Sequence, residues 1–485
     1  MLPEETLDPE NWDEMRKLGH QMLDEMFEYL ITIRERPAWQ AVPNDIKNSL
    51  KTLVPKKGLE ITKIYDEFKK NILPYPLGNI HPRFWGWVCG TGTPFAVLAE
   101  LLTSTMNSNP TGGEQIANYV ESQVIEWTKE MIGYYPNASG LLVSGCSMAN
   151  LIGLAVARNI KAGYDVIKKG IRTDEKKLLV YGSTEMHSSI DKAIQLLGLG
   201  TDSLRKIPVK DDYKIDIGKL KETLEFDTNL GSQPICIIGS AGTVNTGAVD
   251  DLNALANLAQ EYDTMLHVDG AFGTWCRLSP KSAHLVNGIE KADSIAFDYH
   301  KWMYMQYDVG CVLIRDREDH YQTFNLADNH DYMVHLTRGT GSGDIWFSEY
   351  GIQMSRQDRA LKIWMCIKEH GTDKYGRLIE QNIQQANYLT NLVKKQNNLE
   401  LLAPTTMNIV NFRYNDGQME NSTLNKLNEE VLLQLQEKGI AAPSSTTLNS
   451  NFSIRVAITN HRSKQEDFDL LISEIMSIVD SIEIK

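Results

Sequence analysis

Apolar residues at Trp12, Met15, Leu18, Met22, Met26 and Leu30 follow one another at intervals of three and four, the repeat of one helical face, and Pro37 closes the run. Pro9 after Asp8 reads as a capped first turn, so a helix is expected across DPENWDEMRKLGHQMLDEMFEYLITIRERP. Its stripe needs covering, either by the rest of the chain or by a neighbouring subunit. A shorter helical repeat at Ile61, Ile64 and Phe68 gives way to prolines, glycines and aromatics between Pro74 and Pro94, where lost donors and restricted neighbours forbid one regular element. Helical spacing returns from Phe95 to Gly133 around a polar interruption, NSNPTGGEQIAN.

After Gly140 the pattern changes period. Short apolar runs, LLVSG, KLLVYGS, SLRKIPV, PICIIGSAG, MLHVDGAFG, SIAFD and VGCVLIR, read as strands, and most are separated by helical stretches such as HSSIDKAIQLLG and LNALANLAQEY. This alternation predicts an α/β fold, a mostly parallel sheet with helices on both faces, whose ligands collect beyond the carboxyl ends of the strands. Residues 316–350 are polar, with LTRGTGSGD a glycine-rich candidate for a moving loop. A helix, SRQDRALKIWMCIKEHG, then leads to two strands, TMNIVNFRYN and FSIRVAITN, and two further helices. The expected division is a helical N-terminal segment, 1–94, a large domain, 95–365, and a small C-terminal α/β domain, 366–485.

A chain of 485 residues exceeds what one core usually fills, which agrees with that division. Hydrophobic residues at 42% and charged ones at 23% exclude a mainly disordered chain. The net charge of -14 argues against nucleic acid or an anionic membrane as a general partner, because binding phosphates requires excess lysine and arginine. The 6 cysteines form no CxxC pair and read as free thiols. No 18-residue apolar run occurs, and MLPEETLDPENWDEMRK has neither the basic region nor the apolar core of a secretory signal, so a cytoplasmic location is expected.

Chemistry gathers at the strand ends. Lys301, in SIAFDYHKWMYMQYDVGCVLIR, lies on a short link between two buried-looking strands. It is either a structural lysine or one whose pKa is depressed by desolvation, so that its neutral amine adds to an aldehyde as a Schiff base. Asp269 ends MLHVD ahead of small residues; it either makes a turn or keeps a pyridine nitrogen protonated. Gly145, Cys146 and Ser147 in VSGCSMAN run from a strand into a helix, where Ser147 is either a plain N-cap or part of a phosphate nest. His187 in YGSTEMHSSIDKA offers a base, a flat ring surface or a cap. No HExxH-like ligand spacing occurs, so no metal is expected.

An amine, a carboxylate, a phosphate nest and a flat imidazole on one sheet are what pyridoxal 5'-phosphate (PLP) needs. The stretches GLLVSGCSMANLIGLAVAR, EMHSSIDKA, HVDGAFG and DYHKW resemble, in order, motifs of the PLP-dependent amino-acid decarboxylases related to aromatic-L-amino-acid and glutamate decarboxylases, across roughly residues 10–480. The resemblance implies a PLP-dependent transferase-like architecture (fold type I), the removal of carbon dioxide from an L-amino acid to leave its amine, and a homodimer wrapped by the N-terminal helices. It makes Lys301 the Schiff-base lysine, Asp269 the partner of the pyridine nitrogen and His187 the residue stacked on the ring. It places Cys146 and Ser147 in the phosphate turn with His300 beside it, Ala271 under the opposite ring face and Thr243 in a nearby loop. Gly270, where the family more often has alanine, and Cys146, where it has a smaller residue, depart from the pattern. Cys146 invites a test of thiol sensitivity.

Tyr332 in DNHDYMVHLTRG resembles the loop tyrosine that delivers a proton in the decarboxylases, where aldehyde-forming relatives carry phenylalanine. The segment HPRFWGWVCG resembles the family's pocket lining, with Trp85 and Trp87 suited to an aromatic substrate by edge or offset contact or, equally, to covering a core. Asn107 and Asn109 in LLTSTMNSNPTGG resemble a polar segment of glutamate decarboxylases and suit an acidic substrate. An aromatic L-amino acid is the expected substrate, with an acidic amino acid as alternative. An aminotransferase, or an interaction protein without chemistry, keeps the same pattern. Arg359 and Arg455 are either carboxylate ligands or braces between domains and stay outside the catalytic set.

Overall fold

The short apolar runs between residues 139 and 314 become seven strands of one sheet in the computed structural model, which describes residues 5–325 and 335–482. Strand β1 (Phe84–Trp85) precedes them. The large sheet contains β2 (Ser139–Val143), β3 (Leu178–Ser183), β4 (Leu204–Ile207), β5 (Gln233–Ser240), β6 (Met265–Asp269), β7 (Ser294–Asp298) and β8 (Gly310–Ile314). Their order is β2-β8-β7-β6-β5-β3-β4. Pairs from β7 to β4 are parallel, and β8 runs antiparallel to both β7 and β2. The strands are buried almost throughout, because helices cover both faces and continuous apolar runs satisfy that environment.

The antiparallel return of β8 has a local consequence. Asp298 at the end of β7 and Val143 at the end of β2 both stand opposite Gly310 at the start of β8. The β7–β8 link, which carries Lys301, is thereby held against the turn that starts the Cys146–Lys161 helix. Gly310 permits the approach: a Cβ there would lie 2.6 Å from the Gly145 Cα and 2.7 Å from Asp298 Oδ1.

The second sheet has the order β1-β11-β12-β10-β9, with β9 (Leu399–Leu401), β10 (Ile409–Tyr414), β11 (Ala442–Leu448) and β12 (Asn451–Ala457). The Pro- and Gly-rich stretch read as irregular supplies β1, whose Phe84 and Trp85 pair with Ala442 and Pro443. The domain limits differ from the expected ones for the same reason. Residues 84–85 belong to the small sheet rather than to a separate N-terminal segment. The limit at 365–366 falls inside the Ala360–His370 helix, whose Ile363, Cys366 and Ile367 all join the large core. The cores instead divide along the Thr372–Lys395 helix, which gives Ile379 and Ile383 to the large one and Ala386 and Leu389 to the small one. A single long helix crossing two cores shows no break in its repeat, so sequence patterning does not reveal the crossing.

The first helix, Trp12–Ile31, starts three residues beyond Pro9 because Asn11 caps it, accepting the amides of Asp13 and Glu14 at 3.1 and 3.3 Å. It buries only Leu18, and its Trp12, Met15 and Met22 are exposed. The polar stretch after β8 contains a helix, Arg317–Phe324, capped by Asp316. Its glycine-rich part is pinned, with Glu114 donating to the Thr340 carbonyl and Leu336 to that of Gly341. Tyr332 lies outside the described residues. No described helix is long and apolar enough to cross a membrane.

Candidate active site

The Asp298–Lys301 turn is fixed from both sides. Tyr299 and His300 donate their amides to the Val309 carbonyl, and Gly90 donates to the His300 carbonyl. A Cβ on Gly90 would meet the carbonyl oxygens of His300 and Lys301 at 2.3 and 2.4 Å, so only glycine lets that segment lie against the turn. Lys301 Nζ is 2.9 Å from Asp298 Oδ2, and Asp298 Oδ1 accepts the Cys146 amide at 2.6 Å. The depressed Lys301 pKa that desolvation alone would give is not found here. Burial is the largest single effect and lowers it, but the charge and hydrogen bond of Asp298, together with Cys146 and Asp269, hold the amine above its ordinary value. Nδ1 of His300 accepts the Val309 amide, and its ring packs on Tyr307 with centroids 4.3 Å apart. Burial lowers its pKa, which leaves a neutral ring whose Nε2–H faces Asp298, 3.6 Å away.

Asp269 ends β6 with both oxygens engaged. Oδ1 accepts the Ala271 amide at 3.1 Å and the Cys146 thiol at 3.4 Å, and Oδ2 accepts Nδ2 of Asn150 at 3.0 Å. Cys146 is buried, and burial beside Asp269 pushes its thiol pKa up, so it is a poor nucleophile and an inert wall rather than a sensitive thiol. At Gly270 a Cβ would sit 2.0 Å from the Thr274 hydroxyl, which accounts for glycine where alanine was expected.

Gly145 caps the Cys146–Lys161 helix, and Ser147 is exposed in its first turn. Thr243 accepts the Ala248 amide and pairs with the Thr246 hydroxyl at 3.0 Å, closing the loop after β5. His187 follows β3. Its Nδ1 accepts the Ser189 amide at 3.2 Å and lies 2.8 Å from the Ser189 hydroxyl, so the ring proton sits on Nε2. Enclosure lowers its pKa and favours the neutral ring.

These elements surround a cavity of about 450 Å³, within the range of roughly 300–1,000 Å³ common for small-molecule sites. Trp87, Cys146, Ser147, His187, Thr243, Asp269, Ala271, His300 and Lys301 all line it. Trp85 does not. It is fully buried in the small core, donating to the Ser463 hydroxyl at 3.0 Å and stacking on Phe468 at 4.9 Å. Strand alternation would put positions 85 and 87 on one face, but Trp87 has φ of 49° and turns its exposed indole elsewhere. Asn107 and Asn109 do not line the cavity either. Asn107 ends the Pro94–Met106 helix in the left-handed conformation, and Asn109 accepts the Arg356 amide. Polar breaks between helices serve first as caps and turns.

Both arginines act as braces. Arg359 pairs with Asp308 at 2.9 Å. Arg455 is buried and donates to the carbonyls of Trp87, Val244 and Asn245 and to the Ser444 hydroxyl. Sequence reasoning missed Asp298, although an acid three residues before the lysine in FDYHK was visible. It also missed Asn150, the polar residue within an apolar helical run, and Tyr307. A larger groove of about 700 Å³ opens at the opposite edge of the sheet, near the start of β6. Of its charged residues, Lys161 pairs with Asp263 and Arg315 with Asp293. No three His, Cys, Asp or Glu side chains gather for a metal among the described residues.

The donor set fits PLP. A lysine amine and a carboxylate face one cavity, an exposed serine stands at a helix start, and a neutral imidazole and a small Ala271 flank the space where a flat ring would lie. Residues 43–415 match the model of the pyridoxal-dependent decarboxylase conserved domain. The chain is 32% identical over 480 residues to an aromatic-L-amino-acid decarboxylase of Bacillus atrophaeus, with 97% of each chain covered. It is 26% identical to a phenylacetaldehyde synthase of Petunia hybrida, covering 93% of this chain and 91% of that one. The crystal structure of Oryza sativa TDC with PLP and tryptamine superposes with a TM-score of 0.89 at 22% identity, covering 98% of this chain and 99% of that one. That likeness carries the fold, which is the PLP-dependent fold type I.

Proposed function

The chain belongs to the pyridoxal-dependent decarboxylase family and uses PLP as its cofactor, and we propose that it converts an aromatic L-amino acid to the corresponding amine and carbon dioxide. When bound, PLP supplies the electron sink for the pair left on the α-carbon as the carboxylate departs. Lys301 provides the amine that joins the cofactor aldehyde, and Asp298 holds that amine within reach. Asp269 would keep the pyridine nitrogen protonated, and His187 would stand against the ring. Ser147 and the amide end of its helix receive the phosphate.

The make-up of the cavity wall carries the substrate reading. Lys301 is the only lysine or arginine lining it among the described residues, and Glu185, Asp269 and Asp298 supply negative charge. An acidic side chain would enter without a free cation to pair with, which costs several kcal/mol when desolvated. The exposed indole of Trp87 offers an aromatic ring the contact it favours. The likeness to the Bacillus atrophaeus enzyme supports the same reading.

Tyr332 is the proposed proton donor to the α-carbon. A homodimer is proposed on the exposed apolar residues of two helices, Trp12, Met15 and Met22 on one and Leu101, Leu102 and Met106 on the other. The test is incubation of the PLP-loaded protein with single L-amino acids, with mass identification of the product. Amines from tryptophan, tyrosine or phenylalanine are expected, and turnover of glutamate alone would overturn the reading. Tyr332→Phe is expected to lower amine yield at least tenfold and to divert product toward the aldehyde.

A further inference from the structure

The Cys146–Lys161 helix buries Ala149, Ile152, Leu154, Ala155, Val156 and Ala157, and among them the wholly buried amide of Asn150. A buried amide is costly unless every donor and acceptor is satisfied, and this one is. Its two Nδ2 hydrogens go to Asp269 Oδ2 and to the Ser189 hydroxyl, each at 3.0 Å. Its Oδ1 lies 2.9 Å from Nε2 of His267.

The directions of these bonds are determined. A carboxylate only accepts, so the Asn150 nitrogen faces Asp269 and its oxygen faces His267. His267 therefore donates from Nε2. It is wholly buried, burial lowers its pKa to about 4, and a neutral ring has one N–H. Nδ1 of His267 then accepts from the Ser294 hydroxyl, 2.7 Å away. The helix presses close at this point, since a Cβ on Gly153 would sit 2.7 Å from the His267 ring. On the other branch, the Ser189 hydroxyl receives from Asn150 and donates to Nδ1 of His187 at 2.8 Å.

We propose that Asn150 is a positioning residue that supports two cofactor contacts at once, orienting the Asp269 carboxylate through one amide hydrogen and, through the other, the Ser189 hydroxyl that joins the Ser189 amide in holding His187 as its Nε2–H tautomer, while Ser294 and His267 lock the amide against flipping. The chain of donors runs from Ser294 through His267 to Asn150 and divides there, so each bond polarises the next. The residues come from β7, β6, the Cys146–Lys161 helix and the start of the Ser189–Leu196 helix after β3, which ties the two ring contacts to the packing of the large domain. The proposal rests on Asp269 facing the pyridine nitrogen.

The test is reconstitution of cofactor-free protein with PLP, reading the apparent Kd and the pH midpoint of the bound cofactor's absorbance, with near-UV circular dichroism as the check of folding. Asp269→Asn is the reference. Asn150→Ala is expected to weaken binding roughly tenfold or more and to move the midpoint in the same direction as Asp269→Asn. His267→Phe, which frees the amide to flip, is expected to do the same to a smaller extent. His267→Gln restores both readouts, because its amide donates from the position of Nε2. Ser189→Ala is expected to leave the midpoint in place and to alter the pH profile of kcat through His187.

An unmoved pH midpoint and a Kd within twofold of the wild type in both Asn150→Ala and His267→Phe, with Asp269→Asn displaced, overturn the proposal alone. An unmoved Asp269→Asn removes the assignment of Asp269, and the proposal with it. Should Asn150→Ala fail to fold, the contrast between His267→Phe and His267→Gln decides.

Discussion

Lys301 keeps its proton because Asp298 opposes burial at 2.9 Å, so the same carboxylate that positions the amine also slows its first reaction. Asp298→Asn removes the foremost of the groups that oppose burial. The pH dependence of covalent PLP attachment, followed by stopped-flow absorbance, is expected to move down by about 1–3 units, the range of a close opposite charge. An unmoved profile would mean that another group sets the amine. At this scale much was legible: Lys301, Asp269 and His187 carry chemistry that their neighbours in sequence suggest. Their partners were not. Asp298 and Asn150 acquire meaning only from what lies across the sheet, and Trp85, grouped with Trp87 by the resemblance of HPRFWGWVCG to a pocket lining, instead fills the small core.

Elements place the site by where they stop. β2, β5, β6 and β7 deliver their carboxyl ends to one edge, and the antiparallel return of β8 holds the lysine turn there. The Gly90 segment, continuous with β1 of the small sheet, clamps that turn from outside. Gly90→Ala is expected to push the His300 and Lys301 carbonyls away and to cut PLP affinity at least tenfold, while the melting temperature of the cofactor-free protein falls only by a few degrees. Equal affinity in the variant would show that the clamp is dispensable. Strand identities were plain in the sequence because buried parallel strands are continuous apolar runs. The two-residue β1 was not, since it has no period to detect.

Across the whole molecule, buried histidines make the fold sensitive to acid. Burial lowers His81 and His267 to about 4 and His320 to about 3, so the unfolded chain binds more protons than the folded one between those values and pH 6.5. Their contribution is fully present above 6.5 and is lost as pH falls toward 4, on the order of 3 kcal/mol each at ~1.4 kcal/mol per unit. Asp250, raised by burial to about 6, acts with the opposite sign and offsets part of this. Melting temperatures taken between pH 7 and 4.5 are expected to drop, with His320→Gln flattening the curve; a flat wild-type curve would contradict it. Assembly belongs to this scale too. Met15→Asp with Leu101→Asp is expected to convert a dimer to a monomer by sedimentation, and a wild-type monomer at micromolar concentration would remove the dimer reading.

The residue types and their order along the chain determined the α/β class, the strands and the reactive amine, carboxylate and imidazole, because periodicity and side-chain chemistry are local properties. Tertiary structure alone decided which groups face one another: that Asp298 holds Lys301, that Asn150 joins Asp269 to Ser189, that Trp87 meets the cavity while Trp85 fills a core, and that one helix spans both cores. Those choices depend on strand order, on close approaches at Gly90, Gly145, Gly153 and Gly310, and on burial, and each is set by contacts between residues far apart in sequence.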